Sequence, residues 1–164
     1  MALAGENPGT RIMERDEKFR KEALRAARRA GRRGEVPVGA VLVLEGQVLA
    51  RGGNATVARR DPTGHAEVVV LRRGARRLAN HRLAGAVLYV TLEPCLMCLG
   101  AMVQARIRRC VFGAHDPKVG AARLLRIPGL RQGLNHRLEM EGGILADRCA
   151  ELLQSFFRER RKRH

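Results

Sequence analysis

The sequence has no tryptophan, one tyrosine and four phenylalanines in 164 residues. A core here must be built from aliphatic side chains, and any aromatic outside it is conspicuous. Lysine is scarce as well, with four residues, at 18, 21, 118 and 162, against 28 arginines. Acidic residues number 16 against 32 basic ones, which leaves a net charge of +16. Such a surplus must face solvent, where it favours a polyanionic partner. A GC-rich genome also raises arginine at the expense of lysine, but the surplus acts on its surroundings whatever its origin.

No apolar run approaches the roughly 20 residues needed to span a bilayer. Between Met1 and Arg15 there is no long apolar stretch of the kind a secretory signal carries. No strongly apolar helical face accompanies the arginine clusters, which disfavours a membrane surface relative to nucleic acid. The four cysteines comprise a Cys95-Leu96-Met97-Cys98 pair and two single residues, Cys110 and Cys149. That is no disulfide framework for a chain of this length. The expectation is a reducing, cytoplasmic compartment with thiols free to bind metal. With 45% hydrophobic and 29% charged residues, the chain reads as one folded domain, 1–164, with frayed ends at 1–12 and 160–164.

What is present alternates between helical and strand periodicity. Phe19, Ala23, Ala26, Ala27 and Ala30 form one apolar stripe, which predicts a helix from Glu14 to Ala30. Gly39 to Leu44 and Gln47 to Ala50 read as a hairpin about Glu45-Gly46. Asp61-Pro62-Thr63 offers helix-capping residues, so a helix is expected to start there and run to about Leu71. Ala86 to Leu92 reads as a buried strand, and Pro94 opens a helix from Cys95 to Ala105. That helix is apolar nearly all round and is expected to lie within the core. Arg109 to Gly113 is a short strand, His115 to Asn135 a loop-rich stretch, Arg137 to Met140 an edge strand and Ile144 to about Arg160 the last helix. Alternating strands and helices predict a three-layer α/β domain. Cys110, in a strand, and Cys149, on the stripe Leu145, Cys149, Leu152 and Phe156, are expected in the core. His81 and His164 are expected to be solvated.

Two short motifs carry chemistry. His65-Ala66-Glu67 lies near the start of one helix, and Pro94-Cys95-Leu96-Met97-Cys98 starts another. Cysteines at i and i+3 on a helix turn both sulfurs to one face. One imidazole and two thiolates suit zinc, and three protein ligands leave a fourth tetrahedral position for water, the mark of a catalytic site. Two thiolates cancel the charge of Zn²⁺, so water there is acidified less than at a three-histidine site and a dedicated base is needed. Glu67, two residues from His65, is the candidate general acid–base. A CxxC pair is also half of many structural zinc sites. On that reading Cys110, Cys149, His81, His115 or His136 would supply the fourth ligand.

The pairing of His65-x-Glu67 with Pro94-Cys95-x-x-Cys98 resembles the signature of zinc-dependent nucleobase deaminases. Val36-Pro37-Val38-Gly39-Ala40-Val41, Asn54, Asp61-Pro62-Thr63-Gly64, Leu88-Tyr89-Val90-Thr91-Leu92-Glu93, Val111-Phe112-Gly113-Ala114 and Gly143-Ile144-Leu145-Ala146-Asp147 extend the likeness. Together they resemble the bacterial tRNA-specific adenosine deaminases from about Arg20 to Arg161. The resemblance implies hydrolysis of the wobble adenosine of an arginine tRNA to inosine. It also implies a homodimer and an α/β/α cytidine-deaminase-like fold with a mixed five-stranded sheet flanked by helices. Carried over by position, it makes His65, Cys95 and Cys98 zinc ligands and Glu67 the proton shuttle. It assigns Asn54 to the flipped base and Asp116 and Lys118 to neighbouring nucleotides. It brings Asn135, His136, Phe157 and Arg160 to the anticodon stem-loop. The sequence departs from the family's habit at Gly64, where Ala is usual, and at His115, where Arg is often found.

The same zinc chemistry would serve a deaminase of free bases or nucleosides, but a small neutral substrate does not require +16. Riboflavin-pathway deaminases space their cysteines farther apart. A non-catalytic RNA-binding module with structural zinc would leave Glu67 without a purpose.

Overall fold

A computed structural model describes residues 8–163. It contains a five-stranded sheet ordered β2-β1-β3-β4-β5. β1 (Gly39–Leu44) and β2 (Gln47–Gly53) form an antiparallel hairpin, and β1 also pairs antiparallel with β3 (Val87–Leu92). β3 then pairs parallel with β4 (Arg109–Ala114), and β4 parallel with β5 (Glu139–Gly142). The sheet is therefore mixed. α1 (Pro8–Arg32) and α6 (Ala146–Lys162) cover one face, and α3 (Ala66–Leu78) and α4 (Leu96–Gln104) the other, giving the three layers expected.

The central strands are apolar on both faces because both faces are covered. Ala40, Leu42, Leu88, Val90, Cys110 and Phe112 point to the α3–α4 side, where Val70, Leu99, Met102 and Val103 complete the larger core. Val41, Val43, Tyr89 and Val111 point the other way, onto Phe19 and Ala23 of α1. α1 lies so close to the sheet that a Cβ on Gly39 would collide with the backbone of Ala23 and Ala27. On this side the Tyr89 hydroxyl donates to Asp16 at 2.7 Å, and Arg109 donates to both oxygens of the same carboxylate at 3.0 and 2.6 Å.

Several boundaries differ from expectation. Residues 8–12, expected to be frayed, form the first turns of α1; the same expectation for residues 1–7 lies outside the described residues. Residues 160–162 continue α6, while His164 lies outside the described residues. The helix expected to start at Asp61 does not. Asp61 instead accepts the backbone N–H and hydroxyl of Thr63 in a tight turn, and α3 begins at Ala66 and runs on to Leu78. The short helix α2 (Thr56–Arg59) precedes that turn. The loop-rich stretch contains a 3-10 turn at Ala122–Arg126 and α5 (Pro128–Gly133). β5 begins two residues later than expected, where Glu139 meets Arg109. α4 is not wholly within the core either: Cys98, Leu99, Met102 and Val103 are buried, but Leu96 is 62% exposed.

Candidate active site

The sheet topology brings the two motifs together. His65 stands at the N-cap of α3 with extended backbone, and its carbonyl accepts the Val69 N–H at 2.9 Å, opening the helix. β3 ends at Leu92, and Cys95 is the N-cap of α4, with Cys98 one turn further in. Because α3 and α4 share one face of the sheet, their first turns converge.

The His65 Nδ1 lies 3.6 Å from the Cys95 Sγ and 3.5 Å from the Cys98 Sγ. All three donor atoms fall within 4.8 Å of one another. With Zn–N and Zn–S bonds of ordinary length, a tetrahedral site has an N···S edge of about 3.6 Å. The trio therefore fits zinc. Among the described residues no fourth His, Cys, Asp or Glu joins this group. Cys110 and Cys149 are buried elsewhere, as core residues. The donor set is that of an open site, not a closed structural one.

The local electrostatics suit a cation as well. Burial lowers the His65 pKa, which favours the neutral imidazole that can ligate metal. Burial pushes the Cys98 thiol up, and the neighbouring Glu67 and Cys95 push it further. A positive charge is what such a sulfur needs to exist as thiolate. Glu67, in the first turn of α3, is only 4% exposed. Burial raises its carboxyl to about 7, against the pull of a backbone N–H and the Cys98 thiol.

Around this centre the wall is built by hydrogen bonds. The Asn54 Oδ1 accepts the N–H of Ala66 at 2.9 Å, and the Asn54 N–H donates to the Val38 carbonyl at 3.0 Å. The side chain is thereby fixed against the start of α3, beside His65. Asp116 lies in the loop after β4. Its Oδ1 accepts the N–H groups of Lys118 at 2.9 Å and Val119 at 3.2 Å, a local turn. This loop is tied directly to the metal-ligand segment. Ala121 donates to the Pro94 carbonyl at 2.9 Å, and Gly120 bridges to Cys95.

Two buried carboxylates that the motifs do not single out hold these loops. Glu93 accepts from the backbone N–H groups of Asp116 and Ala122, each at 3.0 Å, with the His115 Nδ1 3.2 Å away. A Cβ on Gly120 would strike this carboxylate. Glu35 accepts from Ala58 N–H at 2.8 Å, and from Val57 N–H and the Thr56 hydroxyl at 3.2 Å each, so it fixes α2. An acidic residue in a basic chain, flanked by apolar residues as Glu35 and Glu93 are, is the signal in the sequence that could find them.

The remaining expected contacts divide. Phe157 is 43% exposed and lines one surface cleft with Lys118 and Arg160. These three are brought together. Asn135 and His136 are not brought to the site of this chain. Asn135 accepts the Arg106 guanidinium and His136 bonds the Ile107 carbonyl through Nε2 at 2.7 Å. Both therefore sit at the start of β4, while the metal ligands lie beyond the far end of β3. Sequence position alone does not reveal this, because the loop that carries them folds back along the sheet.

Residues 13–114 match the model of the cytidine and deoxycytidylate deaminase zinc-binding region. The chain is 44% identical over 151 residues to a tRNA-specific adenosine deaminase of Bacillus subtilis, covering 92% of this chain and 94% of that one. It is 45% identical over 152 residues to one from Haemophilus influenzae, covering 91% and 87%. A solved structure from a study of A-to-I editing by tRNA:A34 deaminases at the wobble position of transfer RNA superposes with a TM-score of 0.77 at 47% identity. It covers 83% of this chain and 99% of that one. With its His/Cys/Cys trio, buried Glu67 and mixed sheet, the chain belongs to the cytidine and deoxycytidylate deaminase zinc-binding family and, within it, to the tRNA-specific adenosine deaminases.

Proposed function

We propose that this chain hydrolyses adenosine to inosine at the first anticodon position of tRNA, with an arginine tRNA as substrate. The observation that carries the reading is the His65 Nδ1 at 3.6 and 3.5 Å from two cysteine sulfurs, with a buried carboxylate two residues along. His65, Cys95 and Cys98 would hold zinc, which when bound acidifies a water and makes it nucleophilic near neutral pH. Glu67 manages the protons. It accepts one from the attacking water and places one on adenine N1, which makes C6 electrophilic. Once the oxygen has added at C6, Glu67 takes the proton of the new C6 hydroxyl and delivers it to the exocyclic amine; the C–N bond breaks, the C6 carbonyl forms and ammonia leaves. Asn54, held against Ala66, orients the base. Asp116 and Lys118 flank the entrance, and Phe157 and Arg160 meet the RNA farther out.

The nucleotide must leave its stack to reach Glu67, and an anticodon loop makes that less costly than a duplex does. The net charge of +16 supports an RNA substrate over a free base. The chain is proposed to work as a homodimer. Leu96 and Met97, exposed apolar residues on the turn that carries both cysteines, support that assembly.

The test is incubation of the zinc-loaded protein with an arginine tRNA transcript, followed by digestion and nucleoside analysis. One inosine per tRNA, located at the wobble position, is expected. Absence of inosine, with rapid release of ammonia from free guanine or cytidine, would overturn the reading.

A further inference from the structure

We infer that the cleft between the end of α1 and the last turns of α6 is a second RNA-binding surface, which holds backbone phosphates of the stem outside the loop that enters the site. The inference rests on the tRNA reading above and adds a binding surface to it.

The cleft encloses about 730 Å³ and is lined by Arg28, Arg32, Pro37, Phe156, Arg160 and Arg163, among others. Glu159 is its one carboxylate. Exposed arginines on a helix are ordinarily just solvated. Here two helices from opposite ends of the chain bring four of them into one concavity. Among the described residues none of the four pairs with a carboxylate. Arg160 instead lies over the Phe156 ring, 5.5 Å from its centroid. Like charges gathered in a concave wall raise the local positive potential, and a polyanion relieves their mutual repulsion. Guanidinium forks also match phosphate oxygens in geometry.

The position of the cleft favours RNA over an anionic membrane. It is concave rather than flat, and on two sides its lining residues neighbour residues that support the site. Arg160 lines both this cleft and the one that holds Lys118 and Phe157, which adjoins the loop bonded to Pro94 and Cys95. At the other side Pro37 precedes Val38, whose carbonyl holds Asn54. A strand leaving the site past Lys118 and Phe157 meets Arg160 and then Arg28 and Arg32. Beyond Phe157 the charged groups of the cleft are four guanidiniums and one carboxylate, a set that suits backbone phosphates.

The test uses the full-length zinc enzyme and its R28A/R32A variant. Both side chains are exposed, and equal melting temperatures confirm an intact fold. Dissociation constants are measured for an anticodon stem-loop and for a short single-stranded oligonucleotide of the loop alone, across a range of salt. For the stem-loop, the variant should bind roughly 10-fold more weakly at low salt. Its slope of log K against log salt should be shallower by about 0.7 to 0.9 for each phosphate that the variant no longer neutralises. Affinity for the loop oligonucleotide, and turnover at saturating stem-loop, should not change. Equal weakening on both RNAs, or none on the stem-loop, overturns the cleft. So does a variant that loses binding only to phosphatidylserine vesicles. If the unmodified enzyme forms inosine in the stem-loop but the variant binds it as tightly, only the cleft assignment falls. If no inosine forms at all, the functional reading falls and takes the cleft with it.

Discussion

The carboxylate of Glu93 accepts the backbone N–H of Asp116 at 3.0 Å, and this bond joins the strand that leads to Cys95 to the loop that carries Lys118. The other oxygen takes the N–H of Ala122, so one side chain grips both ends of the loop. Glu93 is thus a positioning residue, with no bond of its own to the metal ligands. Glu93→Gln replaces one acceptor with a donor that opposes an N–H. Amide exchange over residues 116–122 should quicken, and kcat/KM on the stem-loop should fall roughly 10- to 100-fold. Zinc content should stay at one per chain. Loss of zinc with unchanged exchange would show that Glu93 acts on the metal site itself.

Glu67→Ala should retain zinc and fold while turnover falls by about 10²–10⁴-fold or more, because one group serves several proton transfers. Metal analysis and single-turnover inosine formation measure the two effects separately. Stoichiometric loss of zinc would make Glu67 a ligand.

Glu35 sets up a dependence of stability on pH. Burial works to raise its pKa, but the N–H groups of Ala58 and Val57 and the Thr56 hydroxyl outweigh it, and the folded value lies below the ordinary 4.5. A group depressed in the folded state contributes its stability above the unfolded value and loses it as pH falls through the folded one. Glu35→Gln should therefore be less stable than the parent at pH 7, by about 1–3 kcal/mol. The gap should narrow as pH falls below 4.5 and close once it has passed the lower folded value. Denaturant melts at several pH values check this, and a gap that widens in acid would contradict it.

Phe157→Ala should weaken stem-loop binding by about 1–3 kcal/mol, as expected for an aromatic stacked on a base. The melting temperature should change little, because the ring is nearly half exposed. The neighbouring Phe156, edge-on to Phe157 at 5.4 Å between centroids, is more buried. Its alanine variant should cost more stability. A fall in stability with unchanged RNA affinity for Phe157→Ala would place the ring in packing instead.

Much of this arrangement is written in local pattern. β1 is legible to the residue, because an unbroken run of Ala, Val and Leu between glycines suits a strand buried on both faces. The metal trio is legible because i, i+3 spacing and helix starts are local properties. α3 reads too short, since Arg72, Arg73 and Gly74 look like a helix end; Gly74 is there because a Cβ would strike Leu42. α2 escapes the sequence because what stabilises it is Glu35, some twenty residues upstream. The family resemblance brings Asn135 and His136 to the anticodon stem-loop; their partners within the fold, Arg106 and Ile107, precede β4, whose pairing with β5 no local pattern shows. Where a residue's role depends on a partner distant in sequence, pattern alone does not find it.

Each donor of the His/Cys/Cys trio stands on the opening turn of a helix whose later turns are packed into the sheet. The pocket is therefore held in shape by tertiary structure and not by the ion. Small zinc modules unfold when stripped because the metal is their core. The architecture predicts that stripping the metal silences the site while far-UV circular dichroism and a cooperative melt persist.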